Sequence, residues 1–345
     1  MKISIGMKLQ TGPWGGGNRF VSSLVNHLDT LGWQVSFDLK DPELDLILLT
    51  DPRLKLASCS YNHSGILHYL LHINPSALVV HRVNECDERK GTTGLNDLLA
   101  SATRVADHTV FVSSWLQKLH LGQGMPVKSS SVILNGGNQS IFHPRGYVRW
   151  DGHTKLRLVT HHWGAIRMKG FDVYEQLDQM LAQPTCRDRF EFTYIGRLPD
   201  DFTFTHAQHI DPLDGQSLAD EIRGHHVYLT ASRNEPGSNH NIEGALCGLP
   251  LLYVPHASMP ETSDTWGIPF TPDQFPEKLE EMYASYPRWA DRMPDYPFTA
   301  TRTCSAYVEL FNDMIRNRAQ ILERRRLFRH PWWLARTWWQ GNLEK

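Results

Sequence analysis

The chain has 345 residues, 41% of them hydrophobic and 21% charged, with 35 basic side chains set against 37 acidic ones. That length and apolar content suit two domains, each able to bury a core without disulfide or metal staples, and exclude a small disulfide scaffold or a disordered tail. The formal net charge of −2 leaves no global basic footprint, so no nucleic-acid partner is expected.

The N-terminus, Met1-Lys2-Ile3-Ser4-Ile5-Gly6, reads as the start of a strand over residues 3–8. No signal peptide is expected there, because no apolar core or small-residue cleavage site follows the lone lysine. A glycine-rich turn, an amphipathic run over 18–30 and a strand over 34–37 complete a β-loop-α-β opening. Further strands are expected at 46–49, 78–83, 109–112 and 132–134. These are near-continuous Val, Ile and Leu runs, as in parallel strands buried on both faces. Residues 138–155 lack periodicity and read as a linker. A second series follows at 156–161, 190–195, 227–230 and 250–254, with helical patterns over 172–182 and 217–222. A last helix is expected over 307–326, with Val308, Phe311, Ile315, Ala319 and Leu322 on one face. The expected architecture is α/β, with two doubly wound, Rossmann-like parallel-sheet domains at 1–145 and 146–305, followed by a terminal segment over 306–345.

The most apolar runs, 44–49 and 65–73, are short and interrupted by Asp45, His68 and His72, so no transmembrane helix is expected. Cys59, Cys86, Cys186, Cys247 and Cys304 lie far apart with no C-x-x-C pair, which argues against a metal cage and for a reducing, cytoplasmic location.

In doubly wound sheets, ligands bind beyond the carboxyl ends of the strands. The loop Thr11-Gly12-Pro13-Trp14-Gly15-Gly16-Gly17-Asn18 lies between the first strand and first helix, where glycines let backbone amides approach an anion. A dinucleotide fingerprint would need glycine where Phe20 stands, and a P-loop would need Gly-Lys-Ser/Thr where Gly17-Asn18-Arg19 stands. A tight turn without a ligand fits the same residues. More informative are Glu235 and Glu243, which flank Gly237-Ser238-Asn239 directly after the 227–230 strand with seven residues between them. Amides at Gly237 and Ser238 would face a phosphate, and a carboxylate can accept two sugar hydroxyls at once.

This Glu-x7-Glu element, with Gly248-Leu249-Pro250 after it, resembles the donor site of GT-B glycosyltransferases of family 4. The similarity runs along most of the chain. Gly15-Gly16 with Gly32-Trp33-Gln34-Val35 resembles that family's opening, and Ala106-Asp107 with Val110-Phe111-Val112-Ser113 its strand and Ser before a helix. Asn135-Gly136-Gly137-Asn138 with Phe142 and Pro144 resembles the hinge signature, and Tyr194-Ile195-Gly196 the glycine beneath the nucleotide base. The resemblance implies a GT-B fold with two domains facing one cleft and a retaining, metal-independent sugar transfer. Glu235 would hold donor-sugar hydroxyls and Glu243 the ribose, with Gly15, Gly16, Gly196, Gly237, Ser238 and Asn239 also on the donor side.

The family's Lys-Gly element is matched by Lys169-Gly170, but Gly164 stands where its diphosphate arginine usually lies, so Arg167 is expected to substitute. Asn84-Glu85 occupies the place of a His-Asp pair. Asn84 cannot be a base and would position sugar or acceptor, the leaving phosphate taking the acceptor's proton. Aligning His81 instead would put it mid-strand, where it reads as a core histidine. Glu85, Asp87, Arg89 and Lys90 form a charged stretch that either lines the acceptor pocket or is a solvated loop. No Asp-x-Asp element is present, and the histidine pairs His161-His162 and His225-His226, with His240, lack metal-ligand spacing, so no metal and no cofactor are expected. From Arg316 onward, eight basic residues face two acidic ones, a formal +6 that leaves −8 on residues 1–315. Interleaved are Phe328, Trp332, Trp333, Trp338 and Trp339, so this tail would either meet a membrane surface or pack on the N-terminal domain.

The expected function is transfer of a sugar from a nucleotide diphosphate-sugar to a hydroxyl of a carbohydrate or lipid-linked acceptor. A non-catalytic sugar-nucleotide-binding protein and a sugar-nucleotide epimerase of the same architecture are the competing readings.

Overall fold

The computed structural model describes residues 1–10, 15–325 and 331–343. Among them, strands β1 (Lys2–Ile5), β2 (Gln34–Ser36), β3 (Leu46–Leu49), β4 (Leu78–Val83), β5 (His108–Phe111) and β6 (Ser130–Val132) form one sheet in the order β2-β1-β3-β4-β5-β6. Strands β7 (Leu156–His162), β8 (Phe190–Gly196), β9 (Gln208–Ile210), β10 (Val227–Thr230), β11 (Leu251–Tyr253) and β12 (Gly267–Pro269) form the other, in the order β12-β11-β10-β7-β8-β9. Every strand pairing is parallel. The chain divides into two compact units, one of Met1–Asp87, Gly91–Leu134 and Thr301–Lys345, the other of Glu88–Lys90 and Asn135–Ala300.

In the first unit, β3 and β4 are buried along their whole length. The helix Gly16–Thr30 starts two residues before the expected run and turns Phe20, Val21, Leu24 and Leu28 inward. One face of the sheet packs Ile3, Ile5, Leu46 and Val80 against that helix and against Tyr307, Phe311 and Met314. The other packs Ile47, Leu49 and Val79 against Ile66, Leu67 and Leu70 of the helix His63–His72. Asn62 begins that helix, its side-chain oxygen accepting the amides of Ser64 and Gly65 at 3.0 and 3.1 Å. His81 is fully buried in β4, with Nδ1 2.9 Å from Thr103 Oγ1.

The expected last helix is two helices, Ala300–Arg316 and Arg318–Arg324. They are interrupted at Asn317, whose side chain turns back to the Asp313 carbonyl at 2.9 Å. Arg318 pairs with Asp45 at 2.8 Å, and Arg325 forms a buried ion pair with Asp107 and donates to the Ala77 carbonyl at 2.7 Å. A further helix, Pro331–Leu343, follows. Its Trp333 donates Nε1–H to Ser101 Oγ at 3.0 Å, and Trp333 and Leu334 pack on the Ile47 side of the sheet. Trp332 and Trp339 are 89% and 63% exposed. The tail residues Arg326, Phe328, Arg329, Glu344 and Lys345, and residues 11–14 of the glycine-rich loop, lie outside the described residues. No helix among the described residues is long and apolar enough to cross a membrane, and all five cysteines are free thiols.

Residues 135–145 belong to the second unit rather than to the first. Asn135 Nδ2 donates to the Gly237 carbonyl at 3.0 Å, and Phe142 packs among Val159, Ile242 and Leu246. Segment 88–90 joins it too, because Asn234 Nδ2 donates to the Glu88 carbonyl at 3.0 Å. The second sheet is covered on one side by Phe171, Tyr174, Leu177, Leu279 and Met282, and on the other by Leu218, Ile222, Ile242, Ala245 and Tyr296.

Candidate functional site

In the second sheet the strand order reverses between β7 and β10, which are adjacent although β8 and β9 intervene in sequence. The loops leaving the carboxyl ends of such a pair diverge and open a crevice, which makes this end the place to look for a ligand. The loop after β7 carries the short turn Arg167–Lys169 followed by Gly170, and the loop after β10 carries residues 231–239. Gly170 has φ +91°, and a Cβ there would run into the Ala231 backbone. Only glycine permits this approach, and it brings Lys169 to Glu235.

Lys169 Nζ donates to Glu235 Oε1, and Arg89 Nε lies 3.6 Å from Oε2. Lys169 and Glu235 are both buried. Burial alone would push the Glu235 carboxyl upward, but the charges of Lys169 and Arg89 outweigh it and hold the group down to about 2. The cluster therefore keeps a carboxylate ionised between two cations, a net charge of +1. Asn234, at φ +53°, makes the turn before it, its amide donating to His256 Nδ1 at 3.1 Å.

Behind this cluster lies a buried polar layer. His161 Nε2 is 2.9 Å from Glu243 Oε2, and Tyr228 OH is 2.9 Å from His161 Nδ1. His240 bonds Thr230 Oγ1 at 2.8 Å through Nε2 and Ser238 Oγ at 3.0 Å through Nδ1. His162 Nε2 meets Tyr174 OH at 2.8 Å. Burial, reinforced by the positive charge of Lys169, holds His240 down to about 3, and burial with the neighbouring His240 and Lys169 holds His162 well below its ordinary value. Both rings are neutral near pH 7, so neither adds a positive charge to the cluster above them.

Of the residues expected from sequence, Glu235, Gly237, Ser238, Asn239 and Glu243 lie on the loop 231–239 and the helix His240–Leu246, and Lys169 meets them from the turn Arg167–Lys169. Gly237 accepts from Asn135, and Asn239 precedes the helix without a side-chain cap. Gly196 ends β8 at φ +140°, where a Cβ would collide with the His162 carbonyl, so this glycine fits the strand end tightly against β7. Arg89 joins this set and Lys90 is exposed beside it. Arg167 points outward and pairs with Asp201 at 2.5 Å, both side chains mostly exposed. The cation beside Glu235, other than Lys169, is thus Arg89.

In the first unit, Gly15 precedes the helix Gly16–Thr30, and a Cβ on Gly17 would lie 3.9 Å from Asn84 Nδ2, so Asn84 faces the start of that helix. Glu85 is buried, and its carbonyl meets His120 Nε2 at 3.1 Å. Asp87, expected either to line an acceptor pocket or to lie in a solvated loop, is held by local hydrogen bonds. Its carboxylate accepts the Leu95 and Asn96 amides at 3.2 and 2.9 Å and the Thr92 hydroxyl at 2.7 Å, a local capping arrangement. His161, Tyr228 and His240 are site residues that the sequence reading did not find. The available signal was a pair of histidines closing an otherwise apolar strand. Among the described residues, no group of three or more His, Cys, Asp or Glu side chains is placed to hold a metal ion.

No protein-family model matches the sequence, and no curated protein sequence does. Solved structures do match. Sucrose-phosphate synthase from Thermosynechococcus elongatus aligns with a TM-score of 0.62 at 13% identity, over 91% of this chain and 99% of that one. Anabaena HepE, solved in complex with UDP and glucose, aligns at 0.63 and 11% identity, over 91% of this chain and 100% of that one. A glycosyltransferase from Rickettsia africae aligns at 0.61 and 12%, over 92% and 98%. At these identities the likeness is one of fold, and the chain has the α/β GT-B fold with two parallel sheets.

Proposed function

We propose that the protein is a retaining, metal-independent glycosyltransferase of the family 4 type, moving a sugar from a nucleotide diphosphate-sugar to a hydroxyl of a carbohydrate or lipid-linked acceptor. The observation that carries the reading is the buried Lys169–Glu235–Arg89 cluster at the switch point, with Glu243 behind it. HepE is a GT-B neighbour solved with UDP and with UDP-glucose, which supports a nucleotide-sugar donor here.

In this reading Glu235 accepts donor-sugar hydroxyls and Glu243 accepts those of the ribose. Lys169 and Arg89 face the diphosphate, while Gly237, Ser238 and Asn239 form the turn around it. These fixed charges are set before substrate arrives, so they stabilise the negative charge growing on the leaving diphosphate without reorganising. The acceptor oxygen bonds to the anomeric carbon on the face from which the diphosphate departs. The anomeric carbon–oxygen bond to phosphate breaks, and the acceptor's proton passes to a phosphate oxygen. The products are the glycoside and a nucleoside diphosphate, and no protein base is needed. Asn84 is assigned to positioning.

Incubation with a panel of nucleotide-sugars and simple acceptor sugars tests this. Release of nucleoside diphosphate that is unchanged by EDTA, with a product of retained configuration, is the expected result. Release that needs a divalent ion, or a donor epimerised without cleavage, contradicts it.

A peripheral membrane contact is the second reading, favoured by the exposed Trp332, Trp339 and Arg336 on Pro331–Leu343. Replacing both exposed tryptophans with alanine should lower binding to vesicles containing anionic lipid. Unchanged binding removes this reading.

A further inference from the structure

We infer that Tyr228 and His161 form a positioning relay that fixes the carboxylate of Glu243, and that this relay sets the protein's preference for ribonucleotides over 2′-deoxyribonucleotides. The inference rests on the nucleotide-sugar reading above. Its basis is a chain of buried hydrogen bonds that joins two strands and a helix.

A carboxylate only accepts, so His161 Nε2, 2.9 Å from Glu243 Oε2, carries the proton of that contact. The other ring nitrogen, Nδ1, is hydrogen-bonded to Tyr228 OH 2.9 Å away, so the imidazole is held at both ends. The same phenol oxygen accepts the backbone N–H of His161 at 3.2 Å. All three residues are buried. The relay crosses the switch point: His161 is the penultimate residue of β7, Tyr228 lies in β10, and Glu243 lies on the helix His240–Leu246. Val159 and Tyr228 are register partners, which puts the phenol two residues from the imidazole it orients.

Glu243 is followed by Gly244, and any side chain there would run into the Tyr228 ring. Gly244 therefore lets the helix settle on the aromatic ring, and the tyrosine serves as both floor and hydrogen-bond partner. A glutamate has three rotatable bonds, and one held by a buried imidazole has little freedom left to lose when a ligand arrives. A site pre-set to receive hydroxyls rejects a ligand that lacks one, because the polar group is then left unpaired. A carboxylate released from its imidazole can turn away from the empty place, and the discrimination weakens.

The test measures affinity for UDP, GDP, ADP and CDP, each against its 2′-deoxy form, in the wild type, His161→Phe, His161→Gln and Tyr228→Phe. The wild type is expected to prefer one ribonucleotide over its deoxy form by about tenfold or more. His161→Phe should cut that ratio severalfold, and His161→Gln, whose amide can again donate to Glu243, should restore most of it. Tyr228→Phe keeps the ring on Gly244 and should give an intermediate ratio, which keeps the test decisive if His161→Phe does not fold. A ratio unchanged in Tyr228→Phe and in folded His161→Phe overturns the relay. A wild type that binds nucleoside diphosphates without ribose preference overturns it too, leaving the nucleotide reading intact. A wild type that binds none of them overturns that reading itself.

Discussion

The two units share one architecture and use buried charge in opposite ways. In the first, buried or half-buried ion pairs lie at the amino ends of the strands. Asp45 stands just before β3 and holds Arg318, and Asp107 stands just before β5 and holds Arg325. Asp107 also accepts the Val79 amide at 2.9 Å, so the pair ties the C-terminal segment to the amino ends of β4 and β5. In the second unit the buried charges lie past the carboxyl ends of β7 and β10, where Lys169, Arg89 and Glu235 meet. Ligands in open parallel sheets bind at carboxyl ends. Position along the strand direction thus separates a latch from a site, although both are buried carboxylates paired with cations.

The comparison can be broken most sharply at Glu235. Glu235→Ala is expected to lower the rate of sugar transfer by roughly 3 kcal/mol of transition-state stabilisation, on the order of a hundredfold or more, and also to lower stability, because it leaves Lys169 buried without its carboxylate. Steady-state kinetics of the variant check this, and full activity would remove the residue from the site. Asp107→Ala should lower stability alone. It leaves Arg325 buried without its carboxylate, which costs about 3–5 kcal/mol in unfolding free energy, while affinity for nucleoside diphosphates stays within twofold; denaturant titration and calorimetry read the two effects.

Acidification should weaken the second unit through its histidines. Burial holds His225 and His226 down to about 4 and His240 to about 3, against about 6.5 for the unfolded chain. The folded state stays neutral at these rings while the unfolded state binds protons, so stability is full above pH 6.5 and is lost as pH falls toward 4. Each histidine contributes up to roughly 1.4 kcal/mol per pH unit in that window. Denaturant midpoints at pH 7 and pH 5 should show the fall. His81, at about 3 in the first unit, adds to it. The smallest effect is expected at Arg167. Its exposed pair with Asp201 is worth about 0–1 kcal/mol, so Arg167→Ala should barely change nucleoside diphosphate affinity, whereas Arg89→Gln should reduce it clearly.

Much of this was legible in the residues. Glu235 and Glu243 follow a strand at a spacing that places them on one loop and helix, and Lys169-Gly170 carries its own reason, since the glycine allows the approach that delivers the lysine. The long apolar runs that became β3, β4, β7 and β10 were read with at most one residue of error at an end. What escaped was short or distant. β9 and β12 have three residues each, too few to show a period. The Asp107–Arg325 pair joins residues 218 apart, and Arg89 meets Glu235 across a long sequence separation, beside the hydrogen bond from Asn234 to the Glu88 carbonyl. The histidines were weighed as metal ligands by spacing, whereas their partners are a tyrosine, hydroxyls and a carboxylate supplied by neighbouring strands and a helix.

The most direct measurement is a crystal structure of the protein with its preferred nucleotide-sugar bound. The account predicts the diphosphate beside Lys169 and Arg89, the ribose hydroxyls on Glu243 with His161 still bonded behind it, and the sugar on Glu235. A nucleotide bound away from the β7–β10 switch point, or a Glu235 still closed on Lys169 with no contact to the ligand, would contradict it.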